Sequence, residues 1–201
     1  MQAQRTNGVV VRGPGEGPAT WAMGSLFERL ASGRETGGAF DLTLATQPPG
    51  IAPPLHVHTR EAEAFYVLEG TMVYRVGDEL HHLAAGSFIY LPPGVPHAFR
   101  ITGTTPVRFL SFDFPAGLMD LYDEVGMPAR ERRLPGADGF SIDEEIPRWS
   151  EISPRYGLQV VGPPIPVDVW NTDRSDTTAL AIATPPDAAD HRHLLDPATP
   201  R

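Results

Sequence analysis

The stretch GIAPPLHVHTREAEAFYVLEG, residues 50–70, decides how this chain is read. His56 and His58 stand at i and i+2, which in a strand puts two side chains on one face about 6.6 Å apart, at ~3.3 Å rise per residue. Both imidazoles then aim at one point, and Val57 faces away. Glu63 lies at an odd separation from His58, so on one unbroken strand it would face the wrong side. A bend through Thr59 to Ala62 is expected, after which Glu63 opens a nearly continuous apolar strand closed by Glu69 and Gly70. Glu61 is the rival carboxylate if the bend falls earlier.

A second stretch, GSFIYLPPGVPH at residues 86–97, adds His97. Pro92, Pro93 and Gly94 make a rigid turn in which the glycine can take positive φ. Pro96 has a fixed φ and no N–H, so His97 leaves a constrained backbone. Three neutral imidazoles and one carboxylate suit one divalent transition metal, and Fe, Ni, Mn, Co, Cu and Zn all accept such a set. His56, His58, Glu63 and His97 are therefore the candidate metal ligands, with Glu63 also the candidate catalytic base.

Composition narrows the alternatives. The chain has 201 residues, 41% hydrophobic and 20% charged, the make-up of a globular domain. Its 20 Gly and 22 Pro argue for short strands and turns rather than long helices. With no Cys there is no disulfide, thiolate ligand or Cys nucleophile. All sixteen basic residues are Arg, which excludes a Schiff-base lysine and a Walker A loop. A net charge of -9 without a basic cluster argues against nucleic acid or an anionic membrane as partner. Met1 to Gly17 is polar and glycine-rich, so no signal peptide is expected. No apolar run approaches the ~20 residues that cross a bilayer, and a cytoplasmic location is the expectation.

Four zones are expected. Residues 1–20 form an irregular lead-in with a short strand from Val9 to Arg12, and residues 21–116 hold the dense strand-and-turn part. Residues 117–169 form a helical or irregular extension packed on it. That extension carries a short helix from Leu118 to Val125, a polar stretch and an apolar run from Gly157 to Val161. Residues 170–201 are a polar, Pro-rich tail, expected to be loosely held. In the dense part Phe40, Leu42 and Leu44 alternate with Asp41, Thr43 and Ala45. Further strands are expected over 63–68, 72–76, 88–91, 98–101 and 107–114. Leu26 to Ala31 fits either a strand or a helical face. Strands at this spacing belong to an antiparallel sandwich or barrel.

The two stretches resemble the paired motifs of the cupin superfamily, G-x5-H-x-H-x3,4-E-x6-G and G-x5-P-x-G-x2-H-x3-N. Gly50, His56, His58, Glu63 and Gly70 fill the first; Gly86, Pro92, Gly94 and His97 fill the second, with Ile101 where the pattern has Asn. Sequences at 36–40, 65–70, 96–100, 114–117 and 155–164 are similar to quercetin 2,3-dioxygenase-like single-cupin proteins, over about residues 8–166. The resemblance implies an all-β jelly-roll double-stranded β-helix with a metal inside its mouth and a short C-terminal helical extension. It implies a metal-dependent dioxygenase that uses O2 on an enolisable aromatic or flavonol-like small molecule. Cupins also include isomerases, cyclases of aromatic polyketides and small-ligand-binding proteins, since a fold does not fix a function.

Other residues carry weaker readings. Phe65, Val67, Tyr74, Phe88, Phe99, Ile101 and Phe109 are core candidates that would also wall a substrate pocket. Tyr66, Tyr74 and Tyr90 are candidate polar handles. His81 and His82 are adjacent and so face opposite sides of a strand. His191 and His193 repeat the His-x-His spacing in the tail, without a supporting turn. Barrel-edge strands favour a homodimer.

Overall fold

The computed structural model describes residues 8–136 and 142–167, and the side chains of 142–144 lie outside that description. Two antiparallel sheets face each other as a jelly roll. The strands are β1 (Ala19–Ala22), β2 (Ser25–Ala31), β3 (Asp41–Gln47), β4 (Leu55–His58), β5 (Ala62–Glu69) and β6 (Thr71–Val76). They continue as β7 (Glu79–Ala84), β8 (Phe88–Leu91), β9 (His97–Thr102), β10 (Val107–Phe114), β11 (Met127–Pro128) and β12 (Leu158–Gly162). One sheet runs β11-β1-β2-β3-β10-β5-β8 and the other β12-β4-β9-β6-β7. The short helix α1 (Gly33–Thr36) precedes β3, α2 (Met119–Val125) lies between β10 and β11, and α3 (Ile142–Ile152) lies between β11 and β12.

The side chains between the sheets form layers. Ala45, Phe109 and Val67 lie abreast on β3, β10 and β5; Thr43, Ser111 and Phe65 come next, then Asp41, Asp113 and Glu63. The interior thus passes from apolar to ionisable along its axis. Phe65, Tyr74, Phe99 and Phe109 form a chain of aromatic contacts with ring centroids 5.3 to 5.5 Å apart. A second core joins α2 and α3 to β12 through Leu121, Val125, Trp149, Ile152 and Leu158. The Glu145 carboxylate accepts the backbone N–H of Met23, which docks α3 at the β1–β2 turn.

Several expectations change here. Val9 makes a lone bridge, and the strand expected at Val9 to Arg12 does not form; the first strand is β1. Leu26 to Ala31 is strand, settled by pairing with β1 and β3. In β3 the apolar residues Leu42 and Leu44 face outward and are half-buried. Asp41, Thr43 and Gln47 point inward, because the interior there is polar. The apolar run after Gly157 becomes β12 and pairs with β4, so a strand from the extension completes the second sheet. The tail 170–201, with His191 and His193, lies outside the described residues.

Turn chemistry holds the strands in register. Gly70 sits at φ +81, and a Cβ there would stand 2.8 Å from the Pro106 carbonyl oxygen and 2.9 Å from Val107 Cα. Gly86 has φ +88 but open space around it. Gly86→Ala should therefore cost only backbone strain, about 1 kcal/mol, while Gly70→Ala adds a backbone clash and costs up to about 3 kcal/mol. Urea denaturation of the two variants checks that order.

Candidate metal centre

β4 presents His56 and His58 to the interior, with Val57 turned away. β9 lies beside it, and His97 is the direct cross-strand partner of His56. Glu63, the second residue of β5, approaches from the opposite sheet. The bend between His58 and Glu63 is tied down at Thr59, whose backbone N–H and hydroxyl both donate to the Gly157 carbonyl, at 2.9 and 3.0 Å. The Pro92–Gly94 turn is held to the same strand, since Gly94 N–H donates to the His58 carbonyl at 2.7 Å. The two sequence motifs thus meet through this bond, the His56–His97 pairing and the β5–β8 ladder.

All four side chains are buried, and one donor atom from each lies within 4.8 Å of the others. His56 Nδ1 donates to the Pro54 carbonyl at 2.8 Å and His97 Nδ1 to the Val95 carbonyl at 2.9 Å. A carbonyl only accepts, so these bonds leave Nε2 of both rings facing the centre. Glu63 Oε2 sits 2.9 Å from His97 Nε2 and 3.3 Å from His58 Nε2. Among the described residues neither ring nitrogen of His58 has a hydrogen-bond partner, although the ring is buried. Three nitrogens and one carboxylate oxygen, buried and convergent, could hold a divalent transition metal, and an uncommitted Nε2 on His58 fits that use.

Electrostatics divide the rings. Burial, with the charge of His97 second, holds His56 down at about 4, so that ring stays neutral. Burial likewise lowers His58. Burial, the largest single effect, lowers His97, but its hydrogen bond to Glu63, the charge of that carboxylate and the bond to Val95 together raise it. Burial alone would raise Glu63, yet the neighbouring His58 and His97 hold its carboxyl below the usual range. Without metal, a proton in the cluster is favoured on His97, against the Glu63 carboxylate, and a bound cation competes with it.

The centre opens on a cavity of about 50 Å³. Phe65, Tyr74, Phe99 and Phe109 line it. Three other expectations are corrected. Phe88 is 61% exposed, because β8 is an edge strand and Phe88 points off its outer face. Val67 and Ile101 are buried but lie in the core away from the cavity wall. Of the three candidate tyrosines, Tyr66 and Tyr90 are exposed, and Tyr74 is buried and lines the cavity.

Sequence reasoning missed the roof of the cavity, built by Met119 and Tyr122 of α2 and Trp149 of α3. It also missed Asp113, which is fully buried beside Glu63 with neither carboxylate oxygen hydrogen-bonded. Burial pushes that carboxyl well above its ordinary value. The alternation Phe109, Ser111, Asp113 on one strand was the available signal.

A family described as Cupin domain matches residues 43–113. Quercetin 2,3-dioxygenase of Bacillus subtilis (strain 168) is 32% identical over 99 residues, which are 49% of this chain and 29% of that protein. An oxalate-binding protein of Thermotoga maritima is 33% identical over 64 residues, 32% of this chain and 53% of that one. The chain thus spans about half the length of one curated relative and under a third of the other. The crystal structure of a predicted oxalate decarboxylase from Thermotoga maritima aligns with a TM-score of 0.47 at 24% identity, over 53% of this chain and 99% of that one. Among the described residues, no helix is long and apolar enough to cross a membrane.

Two outcomes are expected. In elemental analysis, His56→Ala and His97→Ala should lose most bound metal, whereas His82→Ala on the outer strand β7 should lose none. For metal-free protein, the depressed value of His56 means that its contribution is present above about pH 6.5 and is lost as pH falls toward about 4. His97, raised, works in the opposite sense and loses its contribution as pH rises through its folded value. The loss at His56 amounts to about 3 kcal/mol and should appear in denaturation midpoints; a flat profile from pH 7 to pH 4.5 contradicts it.

Proposed function

From the chain's membership of the cupin superfamily, we propose that it is a metal-dependent dioxygenase acting on an enolisable aromatic or flavonol-like small molecule. The observation that carries this reading is the convergence of His56, His58, Glu63 and His97 at the floor of an aromatic-walled cavity. Likeness to a quercetin 2,3-dioxygenase over 99 residues supports the choice of chemistry.

A bound divalent metal supplies Lewis acidity that makes a substrate hydroxyl easier to ionise. His56 and His97, with Nδ1 committed to backbone carbonyls, hold their rings in fixed orientation. Glu63, released from the ion or beside it, would take the proton from the substrate hydroxyl. Phe65, Phe99 and Phe109 exclude water around the reacting carbon atoms. The buried Tyr74 hydroxyl has no hydrogen-bond partner and can donate to a substrate oxygen.

Cavity size constrains the substrate. At about 50 Å³ the cavity takes only a few waters, since each needs roughly 10–15 Å³, and small-molecule sites usually run to about 300 Å³ or more. A flavonol therefore requires Tyr122 and Trp149 to swing aside. The small cavity also favours a second reading, a protein that binds a small anion or acid without turnover, in keeping with the likeness to an oxalate-binding protein.

Oxygen-electrode measurements separate these. Metal-loaded protein should consume O2 with quercetin or a simpler enediol, and Trp149→Ala should lower KM for the larger substrate several-fold. No uptake across a phenolic panel, together with calorimetric binding of oxalate, selects the second reading. Turnover that persists without oxygen points instead to an isomerase or cyclase.

A further inference from the structure

We propose that Glu61 is the outer hydrogen-bond partner of His58, a positioning residue that turns His58 Nε2 toward the metal; this rests on the metal-centre reading above. Two of the three imidazoles are anchored by the backbone carbonyl two residues earlier in the chain, His56 by Pro54 and His97 by Val95. His58 has no such anchor. Its ring is 3% exposed, and Nδ1 and Nε2 both lack a hydrogen-bond partner.

The nearby acceptor is Glu61. Its Oε2 is buried, has no hydrogen-bond partner of its own, and lies 3.9 Å from His58 Nδ1. A donor and an acceptor each left unpaired in the interior are costly, whereas pairing them removes both penalties. The gap exceeds a hydrogen bond by roughly 1 Å, which a modest rotation of either side chain closes. Glu61 does not belong to the convergent group of His56, His58, Glu63 and His97. The bend pinned at Thr59 carries Glu61 to the outer side of the His58 ring while Glu63 reaches the inner side. One segment of chain thus supplies an outer and an inner carboxylate to the same imidazole. A carboxylate on Nδ1 fixes the tautomer, orients the ring and makes Nε2 a stronger donor to the ion.

The test is Zn2+ affinity by chelator competition for wild type, Glu61→Gln and Glu61→Leu, with thermal melts and a nitrogen-15 NMR assignment of the His58 tautomer. The expected results are a 10–100-fold weaker Kd for Glu61→Leu and a smaller loss for Glu61→Gln, which keeps an acceptor oxygen. Wild-type protein without metal should carry the His58 proton on Nδ1. A purely structural role would lower melting temperature without this order of affinities or this tautomer. If wild type binds Zn2+ and both variants match its Kd, the Glu61 assignment falls while the metal centre stands. If wild type binds no Zn2+, both fall. Should Glu61→Leu not fold, an Nε2–H tautomer in wild type together with an unchanged Kd in Glu61→Gln overturns the assignment.

Discussion

Three imidazoles and a carboxylate must meet in a dry interior, and they arrive from opposite sheets. Buried charges are tolerated only when paired or ligated, so this meeting constrains the strands that carry it. His56, His58 and His97 come from β4 and β9, and Glu63 comes from β5 across the barrel. Between His58 and Glu63 the chain must leave one sheet and join the other. Thr59, held twice by the Gly157 carbonyl, fixes that crossing, and the bond from Gly94 to His58 fixes the second motif against it.

The same interior explains why the barrel is not uniformly apolar. Its layers pass from Ala45, Phe109 and Val67 to Asp41, Asp113 and Glu63. Asp41 is satisfied by the backbone N–H groups of Gly33 and Gly117, whereas Asp113 has no hydrogen-bond partner among the described residues and burial pushes its carboxyl well above its ordinary value. The aromatic layer then separates this polar end from the rest of the core. The cavity is lined elsewhere by Tyr122 and Trp149, on helices that lie outside the matched family segment.

What was legible in the sequence was local. The i, i+2 spacing of two histidines, the bend before Glu63 and the proline-glycine turn before His97 each act within a few residues, and the four side chains do converge. Strand existence was legible for the same reason. What escaped depends on distant neighbours. Phe88 looks like a wall residue until β8 proves to be a sheet edge. The alternation of Leu42 and Leu44 with Asp41, Thr43 and Ala45 marks a strand but not which side faces inward, and the buried side is the one with Asp41 and Thr43. Trp149 sits in a polar stretch, and α3 forms around Pro147 because tertiary packing overrides a weak local propensity. No spacing rule links it to His56.

The pairing of β4 has a consequence for how the chain is made. Between its neighbours β9 and β12, the histidine-bearing strand has one companion some forty residues later and the other about a hundred. A ribosome adding about 5–20 residues per second releases these companions several seconds apart. Until Leu158–Gly162 emerges, one flank of the strand has backbone groups open to foreign partners, so the nascent chain is most vulnerable while its future ligands are already outside the exit tunnel.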